Sequence, residues 1–125
     1  MTLPYGATVL EHFRRPRNQR ALERPTVAHE GYNALCGDRV RIELEVDGAT
    51  IRAAAFTANA CAICTASASL LTERVGGASI EDAARITDDQ VIAGLEANLP
   101  AARLQCAILP VRTLRDALAE LSPPT

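Results

Sequence analysis

Lysine is absent from this 125-residue chain, and every one of its 13 basic side chains is an arginine. Against 15 acidic residues they leave a net charge of -2, so the chain carries no excess positive charge to hold nucleic acid or an anionic membrane. Aromatic residues make up only 3 %, which leaves Leu, Ile, Val and Ala to build the core. No apolar run approaches the roughly 20 residues needed to cross a bilayer. The opening Met1–Tyr5 has neither a basic n-region nor an apolar h-region, so no secretory signal is read and a cytoplasmic location is expected. Internal repeats, linkers and low-complexity stretches are also missing. No G-x-S-x-G elbow surrounds Ser67 or Ser69, so these serines read as small residues that permit close helix packing. The length fits one domain spanning residues 1–125.

The patterning that is present changes period halfway along the chain. Val9, Leu10 and Phe13 recur at helical spacing over residues 6–15, and Pro16 stops that run before an Arg-rich turn ending at Pro25. Residues 39–46 alternate charged and apolar, with Val40, Ile42, Leu44 and Val46 on one face of a strand. Asp47-Gly48 is a hairpin turn, and the return strand covers about 50–58 with Ile51, Ala53 or Ala55, and Phe56 inward. Residues 26–34 supply a third strand. From residue 62 the period becomes helical: Ile63, Ala66, Leu70 and Leu71 share a face up to the Gly76-Gly77 stop. Ser79 caps a short helix over 80–85, with Asp82 in a box-like role, and Thr87 or Asp88 caps another over 88–95. A last helix sets Leu104, Ile108, Val111, Leu114, Leu118 and Leu121 along one stripe, which requires Pro110 to lie in its first turn or at a kink. The tail from Ser122 to Thr125 is expected to be loose. Strands followed by helices predict an α+β fold, a small antiparallel three-stranded sheet packed against several helices.

Four cysteines remain, Cys36, Cys61, Cys64 and Cys106, and in a reducing compartment they are thiols or metal ligands rather than disulfides. Three fall at element boundaries. Cys36 sits in the turn Leu35-Cys-Gly-Asp38, Cys61 opens the Ala/Ser-rich helix, and Cys106 lies close to the start of the last helix. A helix N-terminus favours thiolate, the form that binds a soft metal or attacks a persulfide. Convergence at one end of the sheet would leave a tetrahedral metal one ligand short, a place that Asp38 can fill with oxygen. The same residues also read as small buried hydrophobes, and one CxxC at 61–64 without a second is a weak signal. Spacing alone leaves both readings open.

Four ordered blocks then resemble the IscU/NifU/SufU group of iron–sulfur cluster scaffolds. Val9-Leu-Glu-His-Phe13 with Arg15-Pro-Arg-Asn18 resembles the family's first helix and its "NPRN" turn. Asn33-Ala-Leu-Cys-Gly-Asp38 resembles the first ligand motif, "NPxCGD". Asn59-Ala-Cys-Ala-Ile-Cys-Thr-Ala-Ser-Ala-Ser69 resembles the second, and Leu99-Pro-Ala-Ala-Arg-Leu-Gln-Cys106 the third, "LPPVKIHC". The resemblance covers about residues 5–121. It implies that Cys36, Cys61, Cys106 and Asp38 hold a transient [2Fe-2S] cluster, or Zn2+ in the same site. It implies persulfide sulfur received on Cys106 from a cysteine desulfurase, and cluster hand-over to acceptor apoproteins. The chain would then be a scaffold rather than an enzyme.

Departures from the family pattern qualify those implications. Gln105 stands where IscU proteins carry a histidine, which shifts weight to Asp38 and toward a SufU-like zinc-dependent sulfur acceptor. Arg103 matches an arginine that SufU proteins keep, yet their insertion of roughly 20 residues between the second and third motifs is absent here. Docking of an Hsp70-type chaperone is implied by a segment only partly kept as Leu99–Arg103. Cys64 replaces the usual serine and is either a core residue or an additional ligand. His12 reads as a packing or surface residue, His29 as a strand residue, and the arginines from Arg14 to Arg17 as a solvated turn.

Overall fold

The computed structural model describes residues 6–121. Met1–Tyr5 and the Ser122–Thr125 tail lie outside the described residues. A short helix, α1 (Ala7–Arg14), precedes three strands, β1 (Val27–Asn33), β2 (Asp38–Asp47) and β3 (Thr50–Asn59). Four helices follow: α2 (Ala62–Val75), α3 (Ile80–Ala84), α4 (Asp88–Gly94) and α5 (Ala101–Leu121). The strands form an antiparallel meander in the order β1-β2-β3, and α2 and α5 cover one face of it. This is the α+β arrangement that the change of period predicts. Among the described residues no helix is long and apolar enough to cross a membrane.

The sheet's inner face follows the alternation of β2, where Val40, Ile42 and Leu44 are buried while Val46, expected with them, is only half-buried. Opposite them stand Ala58, Phe56 and Ala54, so the inner alanine of β3 is Ala54 rather than Ala53 or Ala55. A register shift at Glu45/Val46 explains how Ile51 and Phe56, five residues apart, both turn inward: Arg52 is skipped in the pairing and the parity of the strand flips. The outer face is partly covered too. Buried Glu43 accepts there from the Leu22 N–H at 2.7 Å and from Arg41 at 2.9 Å, while residues 18–20 bond to the backbone of Phe56 along the free edge of β3. Ala55, paired with Glu43, is buried on the outer face.

At the centre of the helical layer lies α2, with ten of its fourteen residues buried, more than the single face its sequence suggested; Leu70 is half-buried instead. Its serines do more than make room. Ser67 donates to the Ala107 carbonyl at 2.6 Å, tying α2 to α5, and the Ser69 hydroxyl meets His12 Nδ1 at 2.7 Å and the Arg17 N–H at 2.8 Å, tying α2 to α1. His12 is accordingly buried, whereas Phe13, expected in the apolar stripe of α1, is 42 % exposed. One turn of α1 therefore presents Val9 and His12 to the core, a geometry that the hydrophobic pattern alone assigned to Phe13. Ser79 accepts from the Asp82 N–H, and Thr87 forms a full capping box with Gln90, settling the caps of α3 and α4.

Helix α5 departs most from expectation. It begins at Ala101, so of the two places expected for Pro110, the first turn or a kink, the first is excluded and the proline lies in the helix interior. A proline there cannot donate to the carbonyl four residues earlier, which is that of Cys106. On its docked face α5 crosses β1 at Gly31, where a methyl group would fall 1.9 Å from Thr113 Oγ1. Only a glycine allows that approach.

Candidate metal centre

All four residues that the sequence nominates arrive at one end of the sheet. Asn33 and Asp38 pair at the end of β1 and β2, and Arg39 pairs Asn59 at the end of β3, next to Cys61. The intervening turn is folded by Asn33, whose side chain accepts from the Leu35 N–H at 3.1 Å and whose carbonyl accepts from the Gly37 N–H at 2.7 Å. Gly37 adopts φ 76, open to glycine without strain. This turn lifts Cys36 to the surface and returns the chain at Asp38, which is buried.

Across from the turn, α5 supplies Cys106, fully buried, with its Sγ 3.4 Å from that of Cys36. Ligand atoms of Cys36, Asp38 and Cys106 all lie within 4.8 Å of one another, and no other such cluster of Cys, His, Asp or Glu occurs among the described residues. Cys61 stands at the edge of this group rather than inside it. It is the N-cap residue of α2, and its backbone N–H donates to Asp38 Oδ1 at 3.0 Å. Helix α2 has no acidic residue in its first turn and no side-chain cap of its own. The Asp38 carboxylate from β2 therefore provides the negative charge that the helix N-terminus favours. Asp38 Oδ2 is buried and receives no hydrogen bond of good geometry. A buried carboxylate oxygen without a partner is costly unless something else, such as a cation, completes it.

Burial pushes the Asp38 carboxyl up, but the thiol of Cys106, the Cys61 N–H and the thiols of Cys36 and Cys61 outweigh it and hold the group below its ordinary value. Asp38 is thus a carboxylate at neutral pH. Cys106 moves the other way: burial, hydrogen bonds with Cys36 and Asp38, and the charges of Cys61 and Asp38 push its thiol well up. That reverses the expectation of a thiolate favoured by a helix N-terminus. The physical reason is position, since Cys106 is the sixth residue of α5, beyond the first turn where the helix dipole acts. A divalent cation at the site would supply the positive charge that these crowded thiols and carboxylate lack.

The remaining candidates stay outside the three-donor cluster. Cys64 is fully buried within the apolar core, outside the three-donor cluster, and burial pushes its thiol well up. Gln105 is exposed and accepts from Arg112 at 3.2 Å. His29 pairs with Asp116 at 3.6 Å and Glu120 at 3.1 Å on α5, far along β1 from the turn. Arg14 and Arg15 are exposed, while Arg17 pairs with Glu11 at 2.8 Å.

Comparison with known proteins places this geometry among relatives. The family model of the NifU-like N-terminal domain matches residues 4–123. The nitrogen fixation protein NifU of Azotobacter chroococcum is 36 % identical over 92 % of this chain, and the chain spans only 38 % of that protein's length. Coverage is nearly complete for two shorter relatives. The iron-sulfur cluster assembly scaffold protein IscU of Haemophilus influenzae is 32 % identical over 94 % of this chain and 95 % of its own. The zinc-dependent sulfurtransferase SufU of Bacillus subtilis is 31 % identical over 93 % of this chain and 90 % of its own. Among solved structures, the N-terminal part of a NifU-like protein from Brucella abortus superposes with a TM-score of 0.78 at 20 % identity, covering 94 % of both chains, which is a likeness of fold.

Proposed function

The chain belongs to the family of NifU-like N-terminal domains, and from that premise we propose that its residues 1–125 form a single scaffold domain for iron–sulfur cluster assembly. Iron and persulfide sulfur are its substrates, and a transient [2Fe-2S] cluster is the cargo it passes to acceptor apoproteins. The observation that carries this reading is the convergence of Cys36, Asp38 and Cys106 at the mouth of the sheet, with Cys61 alongside and one buried carboxylate oxygen left without a partner. Cys36, Cys61 and Cys106 supply the soft donors that iron or Zn2+ takes, and Asp38 supplies one hard, weaker donor. A site with one oxygen ligand releases its cargo more readily than one with four thiolates.

Sulfur enters as persulfide from a cysteine desulfurase and is received on Cys106, as the resemblance implies. Leu35, 92 % exposed, and Tyr32, 56 % exposed, flank the Cys36 turn and give such a partner an apolar surface beside the thiols. Hand-over assisted by an Hsp70-type chaperone at Leu99–Arg103, and a cytoplasmic setting that keeps the four thiols reduced, belong to the same proposal.

A second reading, a SufU-like zinc-dependent sulfur acceptor, is favoured by one observation: Gln105 is turned to Arg112, so the donors present are thiols and a carboxylate with no imidazole. Anaerobic reconstitution with ferrous iron, cysteine and a desulfurase separates the two. Iron and acid-labile sulfide in equal amounts, with a visible charge-transfer spectrum, support the scaffold. Persistent zinc, no bound sulfide and an accelerated desulfurase overturn it in favour of the sulfur acceptor.

A further inference from the structure

We propose that Cys36 and Cys106 act as a resolving pair: a persulfide formed on one thiol is cut by the other, which releases hydrosulfide and leaves a Cys36–Cys106 disulfide. The inference rests on the sulfur-accepting part of the function proposed above. It starts from a distance. The two Sγ atoms lie 3.4 Å apart, in van der Waals contact, where a bond would bring them to about 2.05 Å. The pair is also asymmetric. Cys36 is exposed on a turn that pivots at Gly37, whereas Cys106 is buried in the second turn of α5. A sulfur arriving from solvent or from a partner protein meets exposed Cys36 first and reaches Cys106, the thiol directly behind it, through Cys36. Neither other cysteine is so placed: Cys61 is outside the cluster and Cys64 is enclosed in the core.

The chemistry balances within the pair once a persulfide donor has acted. Cys36 then carries an outer sulfur, Sγ–S–H. The Cys106 sulfur attacks the inner sulfur, Cys36 Sγ, as its thiol proton passes to the Asp38 carboxylate in the same cluster. The Sγ–Sγ bond forms, the bond to the outer sulfur breaks, and the electron pair leaves with that sulfur as hydrosulfide. The two cysteine sulfurs together lose two electrons, and the sulfane sulfur gains them. Attack on the outer sulfur instead moves it to Cys106 with no change of oxidation state, and Cys36 can then cut it from the other side. Either route ends in the same disulfide. That product occupies two of the three clustered donors, so the site holds no metal until a dithiol reduces it. Sulfide release without an external reductant is therefore limited to one equivalent for each chain.

The test uses the full-length, metal-free chain and inorganic polysulfide as the sulfur donor, with excess donor removed and no thiol reductant added. Released sulfide and intact protein mass are followed in time. Wild type should gain one sulfur atom transiently, then release about one equivalent of hydrosulfide and end two hydrogen atoms lighter, with the new bridge mapping to Cys36 and Cys106. Cys36→Ser and Cys106→Ser should each keep the added sulfur and release sulfide at least about tenfold more slowly. Cys64→Ser, a change in the core outside the cluster, should behave as wild type. Cys36 lies on an exposed turn, so its variant tests the pair without disturbing the core. A persulfide that lasts as long on wild type as on Cys36→Ser, or a disulfide mapping to a different pair, overturns the inference while leaving sulfur acceptance intact. Failure of every chain to take up sulfur overturns the acceptor reading, and this inference with it.

Discussion

Replacing Gly31 by alanine drives a methyl group into the contact that seats α5 on β1. The added carbon would lie 1.9 Å from Thr113 Oγ1, 3.1 Å from Leu109 Cδ1 and 3.2 Å from Thr113 Cβ. The nearest atom cannot swing aside cheaply, because buried Thr113 donates through it to the Leu109 carbonyl at 2.8 Å. Overpacking of this kind costs about 1–3 kcal/mol, and at about 4 °C for each kcal/mol in a domain of this size the melting temperature should fall by about 4–12 °C. The relief also displaces α5 from the sheet, and α5 carries Cys106 toward the turn bearing Cys36. Zinc affinity should therefore drop by about tenfold or more, as it does when the support of a metal ligand is disturbed. Urea denaturation and competition with a chromophoric zinc chelator read the two effects. In the double variant Gly31→Ala/Thr113→Ala the closest clash is gone, and the combined loss should be smaller than the sum of the single losses by about 1 kcal/mol. Additive losses, or an alanine at position 31 that changes neither stability nor zinc affinity, would refute the docking of α5 on β1 and its part in building the site.

Further outcomes follow from the same geometry. Cys36→Ser, Cys61→Ser and Cys106→Ser should each abolish stable metal retention after gel filtration, while Asp38→Ala should speed metal release, measured by chelator chase. Cys64→Ser should leave metal content at the wild-type level and change stability by no more than about 1 kcal/mol, because a helical hydroxyl bonds back to a carbonyl one turn earlier; lost metal would make Cys64 a ligand. His12 gives the pH dependence. Burial and the nearby Arg17 outweigh Glu73 and Glu11 and hold its pKa below the ordinary 6.5, so the unfolded chain protonates first. Stability should be full above that value and fall as the pH drops through it, and His12→Gln should remove that part of the slope in urea melts.

The parts of the fold that repeat with a period were legible in the sequence. Alternation fixes β2, Asp47-Gly48 the hairpin, and Ser79 and Thr87 the caps, since each acts through neighbours in the chain. Contacts between distant segments were not. His12 carries no hydrophobic signal, and its burial comes from Ser69, 57 positions away. Ile51 and Phe56 turn inward as expected, but the register slip that turns both inward, and makes Ala54 the inner alanine, appears only when the strands pair. Pro110 left a first turn and a kink both open, and only the folded chain, with α5 starting at Ala101, puts it in the helix interior. At the site, ordered motifs brought out Cys36, Asp38, Cys61 and Cys106. The contact of Cys36 with Cys106, and the lone Asp38 oxygen, needed the folded chain.

X-ray absorption at the zinc edge of the metal-loaded chain tests the central claim, that three cysteines and Asp38 hold the metal. A shell of three sulfurs at about 2.3 Å and one oxygen at about 2.0–2.2 Å is expected, with the oxygen replaced by solvent and the sulfurs retained in Asp38→Ala. A shell with two sulfurs or fewer, or one containing imidazole nitrogen, would contradict it.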